Sequence, residues 1–277
     1  MLTVLHASDF QCGRPFRAAA AEALLRLAAE TDPDVVVVSG DLTQRAKARE
    51  FRVAKRILDR MPRVPVVVTP GNHDVPLFRI FERALTPYKN WRAAISPELD
   101  TVTRVQGATL VALNSSAPRR AIVNGRIDDD QLDFAHRAFA TSPVDDIRGL
   151  VIHHHFVPPP DGRGGRPLPR ARLLASRFES MGVDLVLGGH VHQTHITTSR
   201  DLLGADRELV IPFIACGTTT SWRGRGPEAD RNSLNVVHVR PGHIEIVPHR
   251  MAAGGDTFEP GDPVSFARPA GHGTAPR

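Results

Sequence analysis

The sequence predicts an α/β fold, and three observations predict it. Short β-branched runs alternate with Ala-, Leu- and Arg-rich stretches of helical length, the pattern of βαβ units around a largely parallel sheet. After Gly189 the pattern changes to strand-like runs alone, which implies a second, mixed or antiparallel sheet. Residues with metal-ligand chemistry follow one apolar run after another, as groups at the carboxyl ends of parallel strands do when they converge on one crevice.

Taken in order, apolar β-rich runs place strands at Leu2–His6, Val35–Ser39, Val64–Thr69, Ala108–Leu113, Leu150–His154 and Val183–Leu187. The stretches between them predict helices at 16–31, 44–60, 77–94, 129–140 and 171–181. Later runs place strands at Leu209–Cys216, Asn235–Val239 and Ile244–Pro248, the last two joined by the turn Arg240-Pro241-Gly242-His243. Pro158–Arg170 is dense in Pro, Gly and Arg and reads as a loop. The Gly- and Pro-rich segment 251–277 reads as a disordered tail, leaving 1–250 as one domain.

Composition narrows the function classes. The chain has 277 residues, 41% hydrophobic, 23% charged and 5% aromatic, enough to bury a core without staples. Thirty-five Lys and Arg against 30 Asp and Glu give a net charge of +5. That mild bias suits an anionic substrate but lacks the clustered basic, aromatic-rich footprint of a nucleic-acid module. Two cysteines, Cys12 and Cys216, make neither a disulfide framework nor a zinc ribbon. No stretch approaches the roughly 20 apolar residues of a membrane span, and no secretory leader is seen. A cytoplasmic protein is expected; a homo-oligomer is compatible with the sequence.

The polar residues after each strand carry the chemistry. Asp9 and Gln11 follow the first strand, Asp41 follows the second in Ser39-Gly40-Asp41, and Asn72, His73 and Asp74 follow the third in Gly71-Asn72-His73-Asp74. His153-His154-His155 end a later strand, and His190 and His192 end another in Gly189-His190-Val191-His192. Carboxylate, amide oxygen and imidazole together suit divalent ions such as Mn²⁺, Fe²⁺ or Zn²⁺. Gly40, Gly71 and Gly189 precede candidate ligands at bends that call for positive φ or close backbone approach.

These blocks resemble the calcineurin-like metallophosphoesterases, whose signature runs Asp-x-His, Gly-Asp, Gly-Asn-His-Asp or -Glu, a His after a strand, and Gly-His-x-His. Four of the five blocks match over residues 1–250; Gln11 stands in place of the first histidine. The resemblance implies a four-layer α-β-β-α sandwich holding two divalent metal ions bridged by Asp41 and a hydroxide. Asp9, Gln11 and His192 would complete the first metal position. Asn72, His190 and one of the histidine run would complete the second, with His154 favoured and His153 the alternative. His73, oriented by Asp74, would protonate the leaving group or stabilise transition-state oxygens. Arg14, Arg45, Arg223 and Arg225 are candidates for the phosphate oxygens.

A glutamine carbonyl is a weaker donor than imidazole for Zn²⁺ or Fe²⁺, so the first position is expected to bind less tightly. Asn124-Gly125-Arg126-Ile127 and Asp130-Gln131-Leu132 resemble segments of the cyclic-nucleotide and glycerophosphodiester phosphodiesterase branch. That favours a small phosphodiester. A phosphomonoesterase or a metal-binding scaffold weakened by Gln11 are the alternatives. Pro158–Arg170, following the histidine run, reads as a substrate-side lid.

Overall fold

The computed structural model describes residues 1–120, 123–162, 164–207, 209–252 and 254–268. In chain order its elements are β1 (Leu2–Ala7), α1 (Ala18–Thr31), β2 (Val35–Val38), α2 (Ala48–Leu58), β3 (Val66–Val68), α3 (Ile80–Leu85), α4 (Lys89–Ala94), β4 (Thr101–Val105) and β5 (Ala108–Ala112). They continue as α5 (Asp129–Ala140), β6 (Ile147–Val151), α6 (Ala171–Ser180), β7 (Leu185–Gly188), β8 (His195–Thr198), α7 (Arg200–Leu203) and β9 (Pro212–Ala215). The chain closes with β10 (Ser233–Arg240), β11 (His243–Met251), β12 (Phe258–Pro260) and β13 (Val264–Ala267).

The four valines of β2 show how the layers arise. Side chains alternate along a strand, so Val35 and Val37 enter a core between two sheets, shared with Leu110, Val151, Leu185 and Ile214. Val36 and Val38 face the other way, against Leu24 of α1, Phe51 of α2 and Trp91 of α4. On the far side, Val111 and Leu150 of the second sheet pack on Phe139 of α5 and Phe178 of α6. Helix, sheet, sheet and helix are thus stacked in four layers, the architecture expected from the motifs.

One sheet runs β12-β11-β10-β1-β2-β3, with β13 also on β11; the other runs β4-β5-β6-β7-β9-β8. Strands β1, β2 and β3 are parallel, as are β5, β6, β7 and β9. The chain beyond Gly189 does not build a sheet of its own, contrary to the sequence expectation. β8 and β9 join the second sheet, whereas β10 returns to lie antiparallel on β1 and covers its free edge. Local pattern cannot reveal that pairing, which is set by an unpaired backbone edge far away in sequence.

The expected helix at 77–94 is two, α3 and α4, because Pro87 lacks the amide proton and disfavours helix at the residue before it. The 251–277 segment is corrected in part. Phe258 is buried in the helix-side core, and β12 and β13 pair along the nine residues of β11. Gly and Pro content hid two short strands that tertiary pairing stabilises. Arg268 then donates to Asp184 Oδ1 at 3.3 Å and to the Asp145 and Asp146 carbonyls. Residues 269–277 lie outside the described residues.

Truncating Phe258 to Ala should therefore destabilise the protein by about 3 kcal/mol. A urea midpoint unchanged from wild type would show that the tail strands contribute nothing to the fold.

Candidate metal centre

Five residues of the site hold a backbone conformation that side chains disfavour. Asp9 (φ 52°), Gln11 (49°), Asp41 (52°), His190 (72°) and His192 (60°) all sit in the left-handed region. Such residues cost about 1–3 kcal/mol each and persist where surrounding structure over-determines them. Each follows a parallel strand, β1, β2 or β7, and the bend turns its side chain back over the strand ends. Gly40 reaches φ 99° at the β2 bend, and a Cβ on Gly71 would collide with the Asp41 carboxylate.

The side chains so aimed meet between the sheets. Ligand atoms of Asp9, Asp41 and His153 all lie within 4.8 Å of one another, and all three residues are fully buried. His153 Nε2 stands 3.3 Å from Asn72 Oδ1 and 3.5 Å from Asp41 Oδ1, while its Nδ1 faces the Ser39 carbonyl at 2.7 Å. His190 Nδ1 is 2.9 Å from the same Asn72 oxygen, and His192 Nε2 is 3.7 Å from Asp9 Oδ1. Thr218 Oγ1 holds His192 Nδ1 at 2.8 Å. Asp9 Oδ1 and His190 Nε2 are buried without a hydrogen-bond partner among the described residues. An orphaned carboxylate oxygen among two carboxylates and three imidazoles fits a divalent cation.

Electrostatics agree with that fit. Burial, with Asp41 close by, raises the Asp9 carboxyl to about 6 although His153 opposes it. Burial also acts on Asp41, but His153 and His73 hold it well below the usual carboxylate range. Burial alone would lower His153; the Asp41 and Asp9 carboxylates instead raise it to about 9. His190 and His192 are pushed well down, chiefly by burial, and stay neutral, the form in which imidazole ligates.

Several expected residues land elsewhere. His154, favoured from the sequence, commits its Nδ1 to Ser115 Oγ at 2.7 Å, with Gly125 packed on its ring, and its buried Nε2 has no hydrogen-bond partner among the described residues. The reason is strand parity. Leu150 and Ile152 face the helices, whereas Val151 faces the other sheet, so His153 shares the inward side and His154 does not. Asp74 does not orient the His73 ring. Its carboxylate accepts the Leu42, Thr43 and Gly71 amides and the Thr43 hydroxyl, pinning the loop after β2 to that after β3. Burial raises it to about 7. The His73 Nδ1–H is directed instead at the Gln44 carbonyl, 3.0 Å away, a partner that no motif announces.

Gln11 presents its amide nitrogen to the centre, donating to Asp41 Oδ2 at 3.0 Å, and its carbonyl accepts from Arg223 Nη1 at 2.8 Å. The same Nη1 lies 3.0 Å from His73 Nε2. Arg223 and Arg225 line a cleft of about 220 Å³ together with Asn72, His73, His190 and His192. Gly164 and Gly165 of the 158–170 loop line it too; Arg163 lies outside the described residues. Arg14 and Arg45 are not in this cleft but in a neighbouring groove. Gln131, read as a substrate-branch marker, caps α5 by accepting the Asp128 amide and donates to the Asn114 carbonyl, a structural use. Cys12 is buried, and burial raises its thiol above the usual range. No helix among the described residues is long and apolar enough to cross a membrane.

A pH signature follows for the metal-free protein. Against an unfolded value of 6.5, a folded His153 near 9 contributes stability that is complete below pH 6.5 and lost as the pH rises through 9. Thermal melts in chelator should fall across that window, and His153→Gln should flatten the slope.

The chain matches the family described as calcineurin-like phosphoesterase over residues 2–194. It is 30% identical over 179 residues to the glycerophosphodiester phosphodiesterase GpdQ of Enterobacter lignolyticus (strain SCF1), covering 61% of this chain and 59% of that protein. Its fold is similar to that of purple acid phosphatase PPD1 from yellow lupin (Lupinus luteus), with a TM-score of 0.69 at 11% identity, covering 97% of this chain and 54% of that one. A dimetal phosphatase from Danio rerio superposes with a TM-score of 0.62 at 13% identity, covering 96% and 98%. The chain thus spans less than two thirds of the GpdQ and lupin proteins. Family membership implies two divalent metal ions, and the orphaned donors above accommodate them. With its matched span taking in every candidate ligand from Asp9 to His192, the chain belongs to the calcineurin-like phosphoesterase family.

Proposed function

We propose that this protein is a metal-dependent phosphoesterase acting on a small phosphodiester. The observation that carries the reading is the convergence of Asp9, Asp41, Asn72, His153, His190 and His192 on one buried point that opens into a cleft lined by Arg223 and Arg225. Asp41 would be shared by both metal positions. Asp9 and His192 would complete the first, and Asn72, His153 and His190 the second. Gln11 acts as a positioning residue, since its carbonyl is engaged by Arg223 and its amide steadies Asp41.

Two divalent ions held there would supply a nucleophile at neutral pH and neutralise negative charge on the phosphoryl oxygens. The chain's own residues do the rest. Arg223 offers its guanidinium to the non-bridging oxygens, and its donors are fixed in direction by Gln11 and Gln44. The Gln44 carbonyl holds the His73 ring by Nδ1–H, so Nε2 faces the cleft and accepts from Arg223 Nη1; once a bound phosphate draws Arg223 away, Nε2 takes up a proton from water and delivers it to the departing alkoxide. The 158–170 loop, through Gly164 and Gly165, narrows the entrance as a lid would. The GpdQ relative, named as a phosphodiesterase, favours a diester. A phosphomonoesterase with the same centre is the second reading, favoured by the phosphatase names of the lupin and Danio rerio proteins.

Replacing His73 with Ala should lower kcat on a poor leaving group by about 10²–10⁴ while metal content stays unchanged; an undiminished kcat would remove His73 from the reaction. Turnover of bis- against mono-nitrophenyl phosphate by Mn²⁺-loaded protein separates the diester and monoester readings. His153→Ala should cut the bound metal found by elemental analysis by at least one equivalent, whereas His154→Ala should retain it. The reverse result would restore His154 as the ligand.

A further inference from the structure

Beside the metal cleft lies a larger groove of about 950 Å³, lined by Arg14, Arg45, Lys47, Arg49, Glu50 and Arg223 among others. Arg223 lines both spaces. Its hydrogen bonds to the described residues all run through Nη1, which leaves the rest of the fork to face a ligand. Five cations therefore share one concavity with a single carboxylate. That carboxylate does not neutralise them: Glu50 is buried, and its Oε2 accepts the backbone amides of Arg45 and Lys47 at the start of α2. Arg14, Lys47 and Arg49 take part in no ion pair among the described residues. Arg45 is held over the ring of Phe78, 4.6 Å from its centroid, by a cation–π contact that leaves its charge uncompensated.

Like charges gathered in a concave surface repel one another, and an anion placed among them relieves that cost while gaining charge-assisted hydrogen bonds. We infer that the groove is a subsite for a second anionic group of the substrate, so that the preferred ester carries a phosphate or similarly charged group on the part not being cleaved. The inference rests on the phosphoesterase reading and narrows its substrate class to small phosphoesters with two anionic groups. Arg223 is the link, touching the scissile phosphoryl group on one side and bordering the distal anion on the other. Phe16, the aromatic among the lining residues, is partly buried against the core, and the exposed Phe78 ring is already covered by Arg45, which argues against an extended single-stranded nucleic acid laid over stacking platforms.

The test is a matched pair of probes bound to the Mn²⁺-loaded protein in calorimetric titrations: thymidine 5′-phosphate and thymidine 3′,5′-bisphosphate. The second phosphate should tighten binding at least about tenfold, and raising the salt should erode that advantage. In Lys47→Glu/Arg49→Glu the ratio should fall to near one. Both changes are at or beside the exposed start of α2, where an acidic residue suits the helix dipole, and a circular-dichroism melt confirms the fold. Equal affinity of wild type for the two probes overturns the inference, as does a ratio that survives the charge reversal. So does a short single-stranded RNA that binds tighter than both probes and loses that affinity in the variant. Binding does not depend on turnover. A preserved bisphosphate preference in a protein inert toward every ester would refute the phosphoesterase reading and leave the subsite standing.

Discussion

Two carboxylates buried side by side are the constraint around which the molecule is organised. Asp9 and Asp41 have no solvent exposure, and an ionised carboxylate moved from water into a protein interior loses several kcal/mol even after relaxation. Their compensation comes from around them. His153 carries a proton in the cation-free state because those carboxylates face it, the Ser8 hydroxyl and the His190 amide donate to Asp9 Oδ2, and the His73 amide donates to Asp41 Oδ1. A divalent cation replaces that proton with a stronger and more localised charge. The elaborate surroundings, from the Ser39 carbonyl behind His153 to Thr218 behind His192, fix ring orientation for that exchange.

The backbone carries the geometric side of the same constraint. Strand alternation alone turns His153 toward the other sheet, but the residues beyond the ends of β1, β2 and β7 have no strand to aim them. Left-handed bends at Asp9, Asp41, His190 and His192 solve this at a local energetic cost. They are tolerated because the flanking strands sit in three well-packed cores. Asp74 shows how the loops are braced: a single carboxylate gathers three amides and a hydroxyl from two loops.

Much of this could be read from residues alone, and the failures have physical causes. The valine run announced the strand at Val35–Ser39, found at Val35–Val38, and α5 ran as expected because Asp128 and Gln131 cap it by a rule local to the sequence. The return of β10 to β1 was invisible, being a choice among edges distant in the chain. Asp9, Asp41, Asn72, His190 and His192 were legible as a set since each follows a strand. The choice between His153 and His154 required the facing of one residue, which the alternation of Leu150, Val151 and Ile152 would have supplied. Arg223 was named among the candidate arginines but not its reach across to Gln11, and Gln44 acts through its main-chain carbonyl, which leaves no trace in residue identity.

Because Asp9, Asp41 and Asn72 follow strands of one sheet while His153, His190 and His192 follow strands of the other, any ion held among them is a rivet through the middle of the sandwich. Catalytic centre and mechanical fastener are then the same object. A sideways slip of one sheet against the other by a fraction of an ångström would be felt first at the ion.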